Sequence, residues 1–104
     1  MRPYERWHTL WQFFIALDEE WADEWPSEAA AMDDLVRGYA TESLETAVRE
    51  WHEAFEKATD SEVEQIVADF NPSYEPEETF GGARQWAEWV REHLEAELQR
   101  RKTG

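Results

Sequence analysis

The fold of this chain is indicated most clearly by residues 42–58, which read ESLETAVREWHEAFEKA. Their apolar members recur at steps of four, three and four positions, the spacing that places side chains on one face of an α-helix. These members are Leu44, Val48, Trp51 and Phe55. Glutamates occupy the opposite face, so the segment has one side suited to a core and one suited to water. We therefore expect an amphipathic helix over 42–58, with Thr41 as its N-cap.

Four further segments with helical periodicity flank this one. Upstream they span 3–17 and 28–39, and downstream they span 62–69 and 82–101. Their apolar positions are Tyr4, Trp7, Leu10, Trp11, Phe13, Phe14, Leu17, Met32, Leu35, Val36, Tyr39, Val63, Ile66, Val67, Phe70, Trp86, Trp89, Val90, Leu94 and Leu98. The sequence therefore predicts an all-α fold, a compact bundle of about five helices, in a single domain of 104 residues.

Polar residues mark where two of these helices begin. Ser27 stands at the N-cap position of the second helix. Ser61 precedes the fourth helix, and Glu64 follows it three residues later, which is the pattern of a capping box. Two prolines and two adjacent glycines predict an irregular loop across 71–82.

Charge is the dominant feature of the composition. The chain carries 25 acidic and ten basic side chains, for a formal net charge of −15. This charge repels nucleic-acid phosphates and anionic membrane surfaces, so we expect no direct contact with either. It favours fast association with a basic protein, although general acidity of a soluble protein is the alternative explanation. Since the start of the chain lacks the apolar stretch of a signal peptide, we expect a cytoplasmic protein.

The acidic residues are densest between residues 18 and 34, where eight acids and two tryptophans occur without a base. Aromatic anchors inside a charged rim are typical of protein interfaces. We therefore expect a partner-binding segment made of Asp18, Glu19, Glu20, Trp21, Asp23, Glu24 and Trp25. A second interpretation stays open, in which both tryptophans are buried in the core and the acids contact only water.

Catalytic and metal-binding patterns are weak. Glu5 and His8 form one Glu-x-x-His step, whereas di-metal helix bundles use two such steps and additional glutamates. His52 and His93 belong to no ligand motif. The chain has no cysteine and no Gly-x-Ser-x-Gly motif to supply a nucleophile. We therefore expect no enzymatic activity, no cofactor and no bound metal.

Several short elements resemble those of a known bacterial family. They are Leu17-Asp18-Glu19-Glu20-Trp21, Ser27-Glu28-Ala29-Ala30, Tyr74-Glu75-Pro76 and Arg84-Gln85-Trp86-Ala87. Their order and offsets are similar to those of the small all-helical immunity proteins of contact-dependent growth inhibition systems. The chain departs from that family where Asp18-Glu19-Glu20 replaces His-Gln-Asp and where Ala87 replaces leucine.

The resemblance implies an inhibitor that binds and neutralises the toxic C-terminal domain of a cognate effector. Many such domains are basic nucleases, and an acidic inhibitor can occlude a site built for phosphates. Two other functions remain as hypotheses. The chain could be an acidic nucleic-acid mimic that blocks a DNA- or RNA-binding protein, or a small metal-dependent enzyme.

Overall fold

A computed structural model describes residues 2–15, 27–72 and 80–103. This part of the chain is all-helical and contains six helices. They are α1 (Pro3–Arg6), α2 (His8–Ile15), α3 (Glu28–Arg37), α4 (Thr41–Phe55), α5 (Asp60–Phe70) and α6 (Ala83–Thr103). The prediction of an all-α bundle is confirmed, and its count of about five helices was approximate. None of the helices described is long and apolar enough to cross a membrane.

The longest helix, α6, organises the packing because it contacts α3, α4 and α5. α4 and α6 run in opposite directions. The Arg101 guanidinium near the end of α6 donates to the hydroxyl of Thr41 at the start of α4, with Nη1 and Oγ1 3.0 Å apart. Further along the pair, the indole of Trp51 donates to the carbonyl oxygen of Ala87 at 2.7 Å. These bonds fix the register of the two helices at widely separated points.

Phe14 of α2 lies where three other helices meet. Its ring centroid is 5.0 Å from that of Trp86 in α6, 5.1 Å from that of Phe70 in α5, and 5.9 Å from that of Phe55 in α4. All four rings are fully buried. Tilted and edge-to-face arrangements at these distances are the favourable ones for aromatic pairs. The centre of the core therefore contains a cluster of four aromatic rings, one each from α2, α4, α5 and α6.

The predicted helix over 3–17 is wrong in one respect, because the chain breaks at Trp7. Trp7 has φ −119° and ψ 55°, which ends α1 before α2 begins. A carboxylate from another helix caps the start of each of the two helices. Asp69 accepts from the backbone amide of Tyr4 at 3.1 Å, and Glu50 accepts from that of Leu10 at 2.9 Å. The break therefore leaves the Leu10 amide as a donor that Glu50 of α4 satisfies, a tertiary arrangement that periodicity does not encode.

Other helix ends differ from the prediction by a few residues. α3 ends at Arg37 rather than Tyr39, and Gly38 follows as its C-cap. Ser27 is the N-cap of α3 as predicted, since its hydroxyl accepts from the amide of Ala30. α4 begins at Thr41 and ends at Phe55, with Ala40 in the N-cap position. Thr41 is therefore not the cap, and its hydroxyl instead accepts from α6.

The capping box of α5 lies two residues before its predicted position. Thr59, not Ser61, is the N-cap, and its hydroxyl accepts from the amide of Glu62 at 3.2 Å. The Glu62 carboxylate accepts in return from the amide of Thr59 at 3.1 Å. These bonds to Thr59 lower the pKa of Glu62 below its ordinary value. Their stabilisation is thus present at neutral pH and is lost as the pH falls through that lowered pKa.

Replacing Thr59 with alanine should lower the free energy of unfolding by about 1 kcal/mol, because an N-cap bond is lost. Ser61→Ala is the matched control, and we expect a change within about 0.5 kcal/mol for it, since Ser61 is exposed and caps nothing. Urea denaturation followed by circular dichroism measures both. A larger loss for Ser61→Ala than for Thr59→Ala would contradict the observed cap.

Candidate partner-binding surface

The partner-binding segment predicted from the sequence lies outside the described residues. This applies to Asp18, Glu19, Glu20, Trp21, Asp23, Glu24 and Trp25. Three later acids of the same acidic stretch lie on α3, where Asp34 is exposed and Glu28 and Asp33 are half-buried. The structure thus provides a rigid helix directly after the predicted segment.

Some of the described carboxylates stabilise the fold instead of facing a partner. Asp69 accepts from both Nε and Nη2 of Arg2, at 3.0 and 2.7 Å, in addition to capping α1. The hydrogen bond and the charge of Asp69 raise the pKa of the Arg2 guanidinium. Glu50 is half-buried and caps α2. These two acids are occupied within the molecule.

Glu97 is the most deeply buried acid of the described part, with 5% of its surface exposed. Its carboxylate oxygens lie 3.1 Å from Nη1 of Arg100 and 2.9 Å from Nε of Arg101. Arg101 also donates to the carbonyl oxygen of Val36 at 3.2 Å, so this group joins the end of α6 to the end of α3. The two arginines neutralise the buried charge, which makes Glu97 a structural residue.

Most remaining carboxylates are exposed, and many make no ion pair with another described residue. α4 and α6 pack directly against each other, and apart from Glu50 and Glu97 they carry six of these carboxylates, five exposed and Glu88 half-buried. We call this set the acidic face: Glu42, Glu45, Glu53, Glu88, Glu92 and Glu95. Among its members, only Glu95 has an ion pair within the described part, with Nε of Arg91 3.5 Å from Oε1. The basic side chains beside it are Arg49, Arg91 and Lys102. The acidic face therefore carries more negative than positive charge, on two helices whose relative position is fixed by the contacts between them.

A groove of about 340 Å³ crosses the acidic face between α4 and α6. Its lining is Glu45, Val48, Glu95, Leu98, Gln99 and Lys102. Val48 and Leu98 are half-buried, so their apolar surface is accessible between the two helices. The sequence predicted both residues for the core, and the structure packs them against the core but leaves them half-buried, at the edge of the interface between α4 and α6.

A repeated pattern in the sequence points to this groove. Glu45 precedes Val48 by three residues, and Glu95 precedes Leu98 by three. On a helix that spacing sets an acid and an apolar residue side by side, one turn apart. Because α4 and α6 are antiparallel, the two glutamates lie toward opposite ends of the groove. The sequence alone does not indicate this site, since the Glu45–Val48 and Glu95–Leu98 pairs come together only because these helices are neighbours.

The histidines do not come together. His8 follows the break at Trp7, so Glu5 and His8 belong to different helices. Nδ1 of His52 on α4 lies 3.6 Å from Oε1 of Glu56, the residue after that helix. Nε2 of His93 on α6 lies 3.7 Å from Oδ1 of Asp33. Within residues 2–15, 27–72 and 80–103, no group of three or more histidine or carboxylate side chains is placed to hold a metal ion.

Comparisons with known proteins give no relative. No protein-family model matches the chain, and no curated protein and no solved structure is significantly similar to it. The arguments for function therefore come from the residues and their geometry.

Replacing Glu50 with alanine should lower the free energy of unfolding by about 1–2 kcal/mol, because the amide of Leu10 loses its acceptor at the start of α2. Glu53→Ala on the same helix is the control, and its effect should stay within about 0.5 kcal/mol. Thermal or urea unfolding measures both. Equal effects of the two substitutions would show that Glu50 does not cap α2.

Proposed function

We propose that this chain is an immunity protein that binds and neutralises the toxic C-terminal domain of a contact-dependent growth inhibition effector or a related toxin. In this proposal it acts in the cytoplasm, without catalysis, by occupying a basic surface of one cognate toxin. A nuclease is the toxin class that suits it best, because a nuclease must present positive charge to its phosphate-bearing substrate.

One observation carries the proposal, namely the unneutralised charge of the acidic face. Internal ion pairs and helix caps use Asp69, Glu50 and Glu97, whereas five of the six carboxylates of the acidic face are exposed and the sixth, Glu88, is half-buried. A fixed array of like charges on the surface adds self-repulsion and contributes nothing to folding. A cationic partner that covers the acidic face would offset the free-energy cost of this self-repulsion.

Rigidity is the second property that an inhibitor of this kind requires. The indole bond from Trp51 to Ala87 ties α4 to α6. The guanidinium of Arg91 also lies 4.6 Å from the centroid of the Trp51 ring, which adds a cation–π contact across the same interface. Charges held on a fixed surface lose little entropy on binding, so more of their attraction appears as affinity.

Charge reversal tests both the proposal and the location of the interface. We compare three variants of equal net charge: Glu20→Lys with Asp23→Lys, Glu53→Lys with Glu92→Lys, and Glu5→Lys with Glu64→Lys. The binding partner is the purified toxic C-terminal domain of the cognate effector that the proposal requires, which a gene for a large secreted protein next to that of this chain would identify. The first pair changes the predicted segment and the second changes the acidic face, so each should slow association about tenfold. The third pair, exposed on α1 and α5 and part of neither set, should slow it less than about threefold.

Stopped-flow fluorescence measures these association rates, since seven tryptophans provide the signal. At a salt concentration on the order of 0.5 M the differences should largely disappear, because exposed charges are screened over a few ångströms. Equal rates for all three variants would contradict a localised interface. Capture of many DNA-binding proteins in place of one toxin would overturn the immunity proposal in favour of nucleic-acid mimicry.

A further inference from the structure

The groove between α4 and α6 places apolar and acidic side chains next to each other at the surface. Half-buried apolar side chains, Val48 and Leu98, lie beside glutamates toward each end. Glu45 is exposed and has no ion pair with another described residue, while Glu95 shares its charge with Arg91. Glu45 is therefore the groove carboxylate without an ion pair among the described residues, and Lys102 is the cation that lines the same groove.

We infer that this groove seats an arginine side chain of the basic partner. The three methylene groups of the arginine pack along Val48 and Leu98, and its guanidinium donates to the carboxylate of Glu45. This inference rests on the proposed function for the identity of the partner. It deepens that proposal by naming the residue type that the partner inserts.

Charge complementarity and shape favour arginine over other occupants. An apolar side chain would cover Val48 and Leu98 but would leave the Glu45 carboxylate partly desolvated and unpaired. Lysine would supply the charge as a compact, strongly hydrated point. Arginine has a planar fork that donates two parallel hydrogen bonds to one carboxylate, and it is less strongly hydrated. Arginine is also among the residues most enriched at the energetic centres of protein interfaces.

Lys102 also lines the groove and competes for the same site. It is exposed and makes no ion pair with any other residue of the described ranges. Its ammonium repels an incoming guanidinium, so its removal should strengthen binding. The control is the same change at Lys57, an exposed lysine beyond the end of α4. That change should have little effect, because Lys57 does not line the groove.

The test uses the full chain with ¹³C-labelled methyl groups, titrated with N-acetyl-arginine methylamide and observed by NMR. We expect saturable shifts of the Val48 and Leu98 methyl signals, with a dissociation constant on the order of millimolar. Glu45→Gln should raise the dissociation constant about fivefold, whereas Glu64→Gln should change it by less than about twofold. Lys102→Gln should lower it by about a factor of two, and Lys57→Gln should leave it unchanged.

The Nα-acetyl methylamides of lysine and norleucine serve as comparison probes. Equal binding of the norleucine compound would overturn the role of Glu45, and equal binding of the lysine compound would overturn the choice of arginine. Equal weakening by Glu45→Gln and Glu64→Gln, or shifts confined to other methyl groups, would overturn the site itself. The titration needs no toxin, so a negative result for the arginine site is distinguishable from failure of the proposed function. The association rates test the proposed function separately.

Discussion

The contact of the Phe14 ring with Trp86, Phe70 and Phe55 is the interaction on which the other features depend. It ties α2 to α4, α5 and α6 through rings that are fully buried. Loss of one buried aromatic side chain typically costs about 3–5 kcal/mol, a large share of the roughly 5–15 kcal/mol that stabilises a small domain. With the rings inside, the charged residues of the amphipathic helices must lie outside. The acidic face is thus a consequence of how this core is formed.

The carboxylates divide into two groups with different roles. Asp69, Glu50 and Glu97 have partners within the fold, where they cap helices or join helix ends. Apart from Glu50 and Glu97, the acids of α4 and α6 have one internal ion pair among the described residues, that of Glu95 with Arg91. A basic protein surface would relieve their mutual repulsion, which is the reason for the proposed partner. The immunity proposal and the arginine site both follow from this division.

The sequence predicted the helices well, since strong periodicity such as that of Leu44, Trp51 and Phe55 depends only on local spacing. It did not predict the break at Trp7, because the cap of the helix that starts after the break comes from Glu50, far along the chain. The capping box was misplaced since Thr59-x-x-Glu62 and Ser61-x-x-Glu64 satisfy the same pattern. The groove was missed for a related reason: Val48 and Leu98 fit the core pattern, and only the packing of α4 on α6 leaves them at its edge. The predicted segment around Trp21 and Trp25 lies outside the described residues and remains a prediction.

Protection of living cells is the most direct measurement of the central claim, that this surface neutralises a basic toxin. Cells are induced to produce the toxic domain of the candidate cognate effector, and their growth is followed with and without the chain. The account predicts that growth is restored by the natural sequence at equal expression. It also predicts loss of protection when the acidic face carries lysines, provided that the variant remains folded by circular dichroism. Growth arrest that persists in the presence of the natural chain would contradict the account.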